Sequence, residues 1–178
     1  YTDHGHCGIV GKTRGGMDLL NDPSLGLMEK IAISHAMSGA DIVAPSCMLD
    51  GVVGSIRAAL DAEGLEEVLI MAYSTKFASA LYGPFRDAEN SAPSAGDRKG
   101  YQASYGHPRA ALRESEFDEE EGADILMVKP ALFYLDVLAE VRRRTDLPVA
   151  AYNVSGEYSM IHAAAERGWG DLYGMARE

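Results

Sequence analysis

The chain has 178 residues, a formal net charge of −11 and 47% hydrophobic residues, enough for a single packed domain spanning 1–178. Its acid excess excludes nucleic acid as the partner, because phosphate binding needs a basic face. No apolar run approaches the ~20 residues of a membrane span, no charged-then-apolar leader stands at residue 1, and two cysteines, Cys7 and Cys47, are too few for a disulfide framework, so the expectation is a cytoplasmic protein with no membrane partner.

The chain begins on Tyr1, stops on Arg177-Glu178 inside a helical pattern, and reads as a piece of a longer protein. Tyr1–Gly8, YTDHGHCG, sets His4, His6 and Cys7 between glycines. A zinc site needs three or four ligands in reach, so a small buried thiol and ordinary loop histidines are the plainer reading of these residues by themselves. Gly11–Gly16 reads as an exposed turn or flap. A helix opens at Pro23-Ser24, counts Leu27, Ile31 and Met37 among its apolar positions, and ends at Gly39. Asp41–Ser46 is a strand. Asp50–Glu63 is a second helix with Val53, Ile56 and Leu60 at helical spacing, stopped by Gly64.

Glu67–Lys76, EVLIMAYSTK, and Gly122–Pro130, GADILMVKP, are short apolar runs bounded by polar or turn-forming residues, the pattern of parallel strands buried on both faces. Lys129 falls at the last position of its strand and Lys76 just past the end of the other. An ammonium there loses hydration, and two cations sharing one mouth would each oppose protonation of the other. A lysine with a depressed pKa is a nucleophile for ketones and aldehydes. For either lysine alone, a stem snorkelling to the surface explains the position as well.

Between these strands, Ala88–Tyr105 is rich in Ser, Gly, Pro and charge, and its length marks it as a lid or binding loop. Pro108 starts a helix whose acidic run, Glu116–Glu121, reads as a solvated face. Leu132–Thr145 is a helix carrying Leu135, Leu138 and Val141 inward. Leu147–Val154 is a fourth strand, and Ser155-Gly156-Glu157 turns into the last helix. The regular strand–helix alternation argues for a parallel α/β architecture. With no glycine-rich phosphate loop after any strand, a (β/α)8 barrel is the better reading. Such barrels carry reactive groups at C-terminal strand ends, where Lys76, Lys129 and Ser155 fall. Four of eight strands are visible, a partial TIM barrel with a long active-site lid.

HGHCG at 4–8, APS at 44–46, DG at 50–51, YSTKFASALYGPFRDA at 73–88, GDRKGYQ at 96–102, MVKPAL at 127–132, YLD at 134–136 and AYNVSGEY at 151–158 resemble the porphobilinogen synthase, or 5-aminolevulinate dehydratase, family. The similarity runs nearly the whole length. It implies condensation of two 5-aminolevulinate molecules to porphobilinogen for tetrapyrrole synthesis, on a (β/α)8 barrel assembled as a homo-octamer. In that light Lys129 matches the lysine holding the first substrate as a Schiff base, and Lys76 the lysine that holds or activates the second. Arg86 and Arg98, both read as part of the lid, match carboxylate-binding arginines for the second substrate, with Gln102 a further contact. The fork of a guanidinium suits a carboxylate. Ser155 matches a serine binding the first carboxylate. Cys7 matches the third thiolate of a catalytic zinc site whose other two would lie upstream of Tyr1, and Glu114 matches a carboxylate for activating magnesium.

Three departures accompany the resemblance. Cys47 stands where relatives commonly carry Asp or Ala. Gly100 replaces a cysteine that helps bind a second zinc in some relatives, so no second site is expected. A tyrosine expected to share the first carboxylate would fall beyond Glu178, so the stretch as it stands is not expected to turn over substrate. Two other readings use the same residues: a barrel aldolase needing only Lys129, and a non-catalytic barrel fragment, which would not need polar groups at its strand ends.

Overall fold

The computed structural model describes residues 5–89 and 97–178. His4 and the 90–96 part of the lid lie outside the described residues. The first element is an antiparallel hairpin of β1 (Val10–Thr13) and β2 (Gly16–Leu19), with Thr13 opposite Gly16. The exposed turn read at 11–16 is the tip of this hairpin, whose strands are too short to display an alternating pattern. Ser24 Oγ fastens it to the next helix by accepting from Ile9 N–H and donating to Leu20 C=O.

That helix, α1 (Asn21–Met37), carries Pro23 in its first turn, where the missing N–H has no intrahelical role. Its buried face is Ala32 and Ala36 with Ser24. Ile31 and Met37 are 39% and 73% exposed, so small residues make the contact. β3 (Ile42–Val43) and α2 (Val52–Ala62) follow, and Val53, Ile56 and Leu60 are buried as their spacing predicts. β4 (Leu69–Lys76) leads through a 3-10 turn (Ala80–Tyr82) into α3 (Gly83–Ala88). α4 (Pro108–Glu120), β5 (Ile125–Lys129), a 3-10 turn (Leu132–Tyr134), α5 (Leu135–Arg144), β6 (Val149–Ala151), α6 (Ser155–Glu166) and α7 (Leu172–Arg177) complete the chain. Gly64 and Gly122, at φ 70° and 100°, occupy the left-handed positions that end α2 and α4.

β3, β4, β5 and β6 form one parallel sheet in chain order, an arc of a (β/α)8 barrel. Among the described residues β3 and β6 are the outer strands of this sheet, and their hydrogen-bonded lengths are shorter than the apolar runs at 41–46 and 147–154. The core lies between the sheet and its helices, around Val43, Ile56, Leu60, Ile70, Leu126, Val128 and Val141.

Two packing expectations change. The 3-10 turn delays α5, whose buried residues are Val137 and Val141, with Leu138 packed at the edge; Leu135 is 54% exposed. The acidic run is only partly solvated: Glu116 pairs with Arg144 at the surface, but Glu121 Oε2 accepts from Gly54 N–H at 3.1 Å. Asp118 is partly buried, and burial pushes its carboxyl up to about 7, against a hydrogen bond from Ser74 and with Glu121 and Glu114 adding. No helix among the described residues is long and apolar enough to cross a membrane.

Candidate active site

Lys76 and Lys129 end the adjacent strands β4 and β5 and are register partners. Lys76 is the last residue of its strand rather than the first beyond it. It is 3% exposed, and its Nζ donates to Ser46 C=O at 2.5 Å. Burial lowers its pKa, with Arg98 and Arg86 pushing the same way and Cys7 and Cys47 opposing. Lys129 is half-buried. Burial brings its amine down to about 8, with Lys76 adding and Cys7 opposing. Desolvation thus leads at both lysines, and the neighbouring lysine is a further cause at Lys129. An amine titrating near 8 is still mostly protonated at neutral pH, but its neutral, nucleophilic fraction is far larger than that of an ordinary lysine at 10.5, so it can attack a carbonyl.

A cleft of about 50 Å3 joins these amines to Arg98 and Ser155, with Tyr82, Phe85, Tyr152 and Val154 on its walls. Three of the strand-end groups expected from sequence therefore meet. Ser155 is itself the first residue of α6; its Oγ accepts from Phe85 N–H at 3.0 Å and donates to Leu81 C=O at 3.3 Å. It thereby ties α6 to the segment that carries Arg86. Arg86 sits on α3, not on the lid, because Pro84 near the helix start fixes a helical turn there. Its guanidinium lies 5.7 Å from the Tyr82 ring centroid, and its buried Nε has no hydrogen-bond partner among the described residues. Arg98 does follow the 90–96 segment, but it is 4% exposed and Nη2 donates to Gly5 C=O at 2.5 Å.

The other expected groups lie elsewhere. Gln102 is 6% exposed and both polar atoms of its amide lack partners among the described residues. It lines a separate cavity of about 320 Å3 with Asn21, Asp50 and Glu114. Burial raises the Glu114 carboxyl, with Asp50 and Glu121 adding and Arg113 opposing. Cys7 and Cys47 are buried on a third cavity, about 220 Å3, between α1, β3 and α2. Burial pushes the Cys47 thiol up to about 12, Cys7 adds to this and Lys76 opposes it. His6 is buried with Nδ1 3.0 Å from Tyr101 Oη. Among the described residues no group of three His, Cys, Asp or Glu side chains could hold a metal ion.

Two features escaped sequence reasoning. Glu157, 0% exposed, accepts from Ala131 and Leu132 N–H through Oε1 and from Val154 N–H through Oε2. It clamps the loop after Lys129 to the start of α6. The signal that could have found it is an acid at the third helical position after a strand, a capping pattern. Around Lys129 Nζ stand three rings, with centroids at 3.7 Å (Tyr152), 5.0 Å (Tyr73) and 5.9 Å (Tyr82). Nothing in the spacing of these tyrosines announces a common centre.

The family model for delta-aminolevulinic acid dehydratase matches residues 1–178. The delta-aminolevulinic acid dehydratase of Synechococcus elongatus is 59% identical over 173 residues, covering 96% of this chain and 52% of that protein. That of Archaeoglobus fulgidus is 59% identical over 169 residues, 95% of this chain and 51% of the relative. The chain thus spans about half the length of the curated relatives it matches. Among solved structures, delta-aminolevulinic acid dehydratase (porphobilinogen synthase) of Toxoplasma gondii, in complex with the reaction product porphobilinogen, superposes with a TM-score of 0.93 at 48% identity, over 99% of this chain and 50% of that one. A match over the full chain, a shared barrel arc and paired strand-end lysines agree: this chain belongs to the delta-aminolevulinic acid dehydratase family.

Proposed function

We propose that the protein containing this chain condenses two molecules of 5-aminolevulinate to porphobilinogen through lysine Schiff bases, for tetrapyrrole synthesis. The observation that carries this reading is the pairing of Lys76 and Lys129 at one strand-end cleft, both with lowered pKa. The neutral Lys129 amine attacks the ketone of the first substrate; its nitrogen replaces the carbonyl oxygen, which leaves as water. Lys76 serves the second substrate in the same way. Ser155 receives the first carboxylate, while Arg86 and Arg98 bind the second as paired guanidinium forks. Gln102, on the neighbouring cavity, is the further contact that the family resemblance implies.

Cys7 and Glu114 carry the donor atoms that the metals of the family resemblance take, although neither belongs to a three-ligand group among the described residues. Cys7, beside a second buried thiol, would give zinc one sulfur ligand, and Glu114, its carboxyl raised in part by Asp50, would give magnesium an oxygen ligand. A bound zinc supplies Lewis-acid polarisation. Assembly as a homo-octamer rests on the resemblance alone, and a cytoplasmic location on the two cysteines being too few for a disulfide framework.

The test is borohydride reduction of the full-length protein with 5-aminolevulinate, followed by peptide mass spectrometry. Label on both Lys76 and Lys129 supports the synthase reading; label on neither refutes it. A second reading, in which only Lys129 forms an imine, has one observation in its favour: Lys76 Nζ is engaged by Ser46 C=O. Label confined to Lys129 would select it.

A further inference from the structure

Lys129 Nζ is surrounded on one side by aromatic faces supplied from three separate elements. Tyr73 comes from β4, Tyr82 from the 3-10 turn before α3, and Tyr152 from the residue after β6. Their centroids lie 5.0, 5.9 and 3.7 Å from the nitrogen, within the ~6 Å at which a ring face attracts a cation. The other charged or titratable groups acting on this nitrogen are Lys76, across the register, and Cys7, with Arg98 on the same cleft. Lys76 and Arg98 repel positive charge, and among the described residues no carboxylate lines the cleft. Cys7 favours a cation here from a separate cavity, and within the cleft itself the three ring faces supply the attraction.

We infer that Tyr73, Tyr82 and Tyr152 form an aromatic cage whose role is to hold the nitrogen of Lys129 in its cationic state once it has condensed with a carbonyl compound. This rests on the Schiff-base reading above and deepens it. In the balanced step, one ketone, the neutral Lys129 amine and one proton give one protonated imine on Lys129 and one molecule of water. The nitrogen lone pair forms the new bond to the carbonyl carbon, both amine hydrogens leave with the carbonyl oxygen as water, and the added proton stays on the imine nitrogen. An imine nitrogen is a weaker base than the parent amine, and only its protonated form draws electrons strongly from the adjacent carbon. Water would normally stabilise that charge; here the cleft is narrow and half-closed, and ring faces take its place. The tyrosines act through Lys129 and are positioning residues.

The cage predicts a dependence on ring faces rather than on phenol hydroxyls. In the full-length protein, cyanoborohydride reduces the iminium but not the neutral imine, so the rate of labelling at Lys129 against pH reads the proton on the imine. Acetone serves as a minimal carbonyl probe, with 5-aminolevulinate in parallel. Tyr152→Leu should lower the rate at pH 7 about threefold to thirtyfold and move the profile to lower pH, the range for losing one cation–π contact. Tyr152→Phe should restore the wild-type profile. If Tyr152→Leu does not fold, Tyr73→Leu and Tyr73→Phe give the same contrast from β4. A leucine variant with the wild-type profile overturns the cage, and so does a phenylalanine variant that behaves like leucine. Ring-dependent labelling by acetone without any labelling by 5-aminolevulinate would keep the cage and refute the proposed substrate. No label at Lys129 with either carbonyl would overturn both.

Discussion

Lys76 and Lys129 face each other because β4 carries one residue more than β5 between their pairings. Met71 and Ala72 pair with Ile125 and Leu126, but after the irregularity Thr75 and Lys76 pair with Val128 and Lys129. In an unbroken register Lys129 would meet Thr75, and Lys76 would turn to the opposite side of the sheet, since side chains alternate with a period of two. The like charges that this pairing brings together lead to the first prediction. Lys76→Met should raise the Lys129 pKa from about 8 toward the ordinary lysine value of 10.5, because it removes the cation that adds to burial there. Borohydride trapping with 5-aminolevulinate against pH measures this at Lys129. An unchanged or lower midpoint would show that Lys76 exerts no such effect.

Gly156 is pressed against the backbone of Leu81: a Cβ at this position would lie 2.5 Å from Leu81 O and 2.8 Å from its Cα. Neither is the end of a flexible side chain, so Gly156→Ala must push α6 away from the turn leading to α3. Overpacking of this kind costs about 1–3 kcal/mol. Because the same contact seats Ser155 against Leu81 and Phe85, denaturant unfolding should show the loss in stability and substrate KM should rise with it. Wild-type values for both would mean that the two segments separate without consequence.

Glu157 gathers three backbone N–H groups and so fixes the loop that follows Lys129. Glu157→Gln keeps the size but replaces one accepting oxygen with an NH2 donor. One or more of the buried N–H groups then loses its acceptor, at about 1–3 kcal/mol each. Thermal unfolding should occur at lower temperature, and imine trapping at Lys129 should slow more than trapping at Lys76. Equal slowing at both lysines would point to a general loss of structure instead.

Asp118 makes stability depend on pH. Its carboxyl is raised from 3.8 to about 7 in the fold. Between these values the native state binds the extra proton, so stability falls as pH rises from about 4 to about 7. At about 1.4 kcal/mol per tenfold change in proton affinity, the loss amounts to a few kcal/mol. Asp118→Asn should flatten the dependence and raise stability at pH 8 relative to the native protein, as read from urea midpoints. A variant less stable than the native protein at pH 8 would show that the ionised carboxylate is favourable here.

The sequence by itself determined the architecture, the two lysines and the family. Buried parallel strands and amphipathic helices such as 52–62 write their periodicity directly into residue order, and the polar strand ends stand out against apolar runs. What it could not determine depends on where separate segments meet. The delay of α5 by a 3-10 turn exposed Leu135, and small residues rather than Ile31 and Met37 sealed α1. The extra residue in β4 set the two lysines face to face, although nothing in YSTK distinguishes a bulged strand from a regular one. Arg98 and Gln102, four residues apart, line different cavities. Glu157 and the tyrosines around Lys129 come from segments distant in sequence, and only strand pairing and loop packing at one end of the sheet bring them to Lys129 and the loop after it. Local spacing fixes which elements form, whereas register and loop packing fix which side chains share a site.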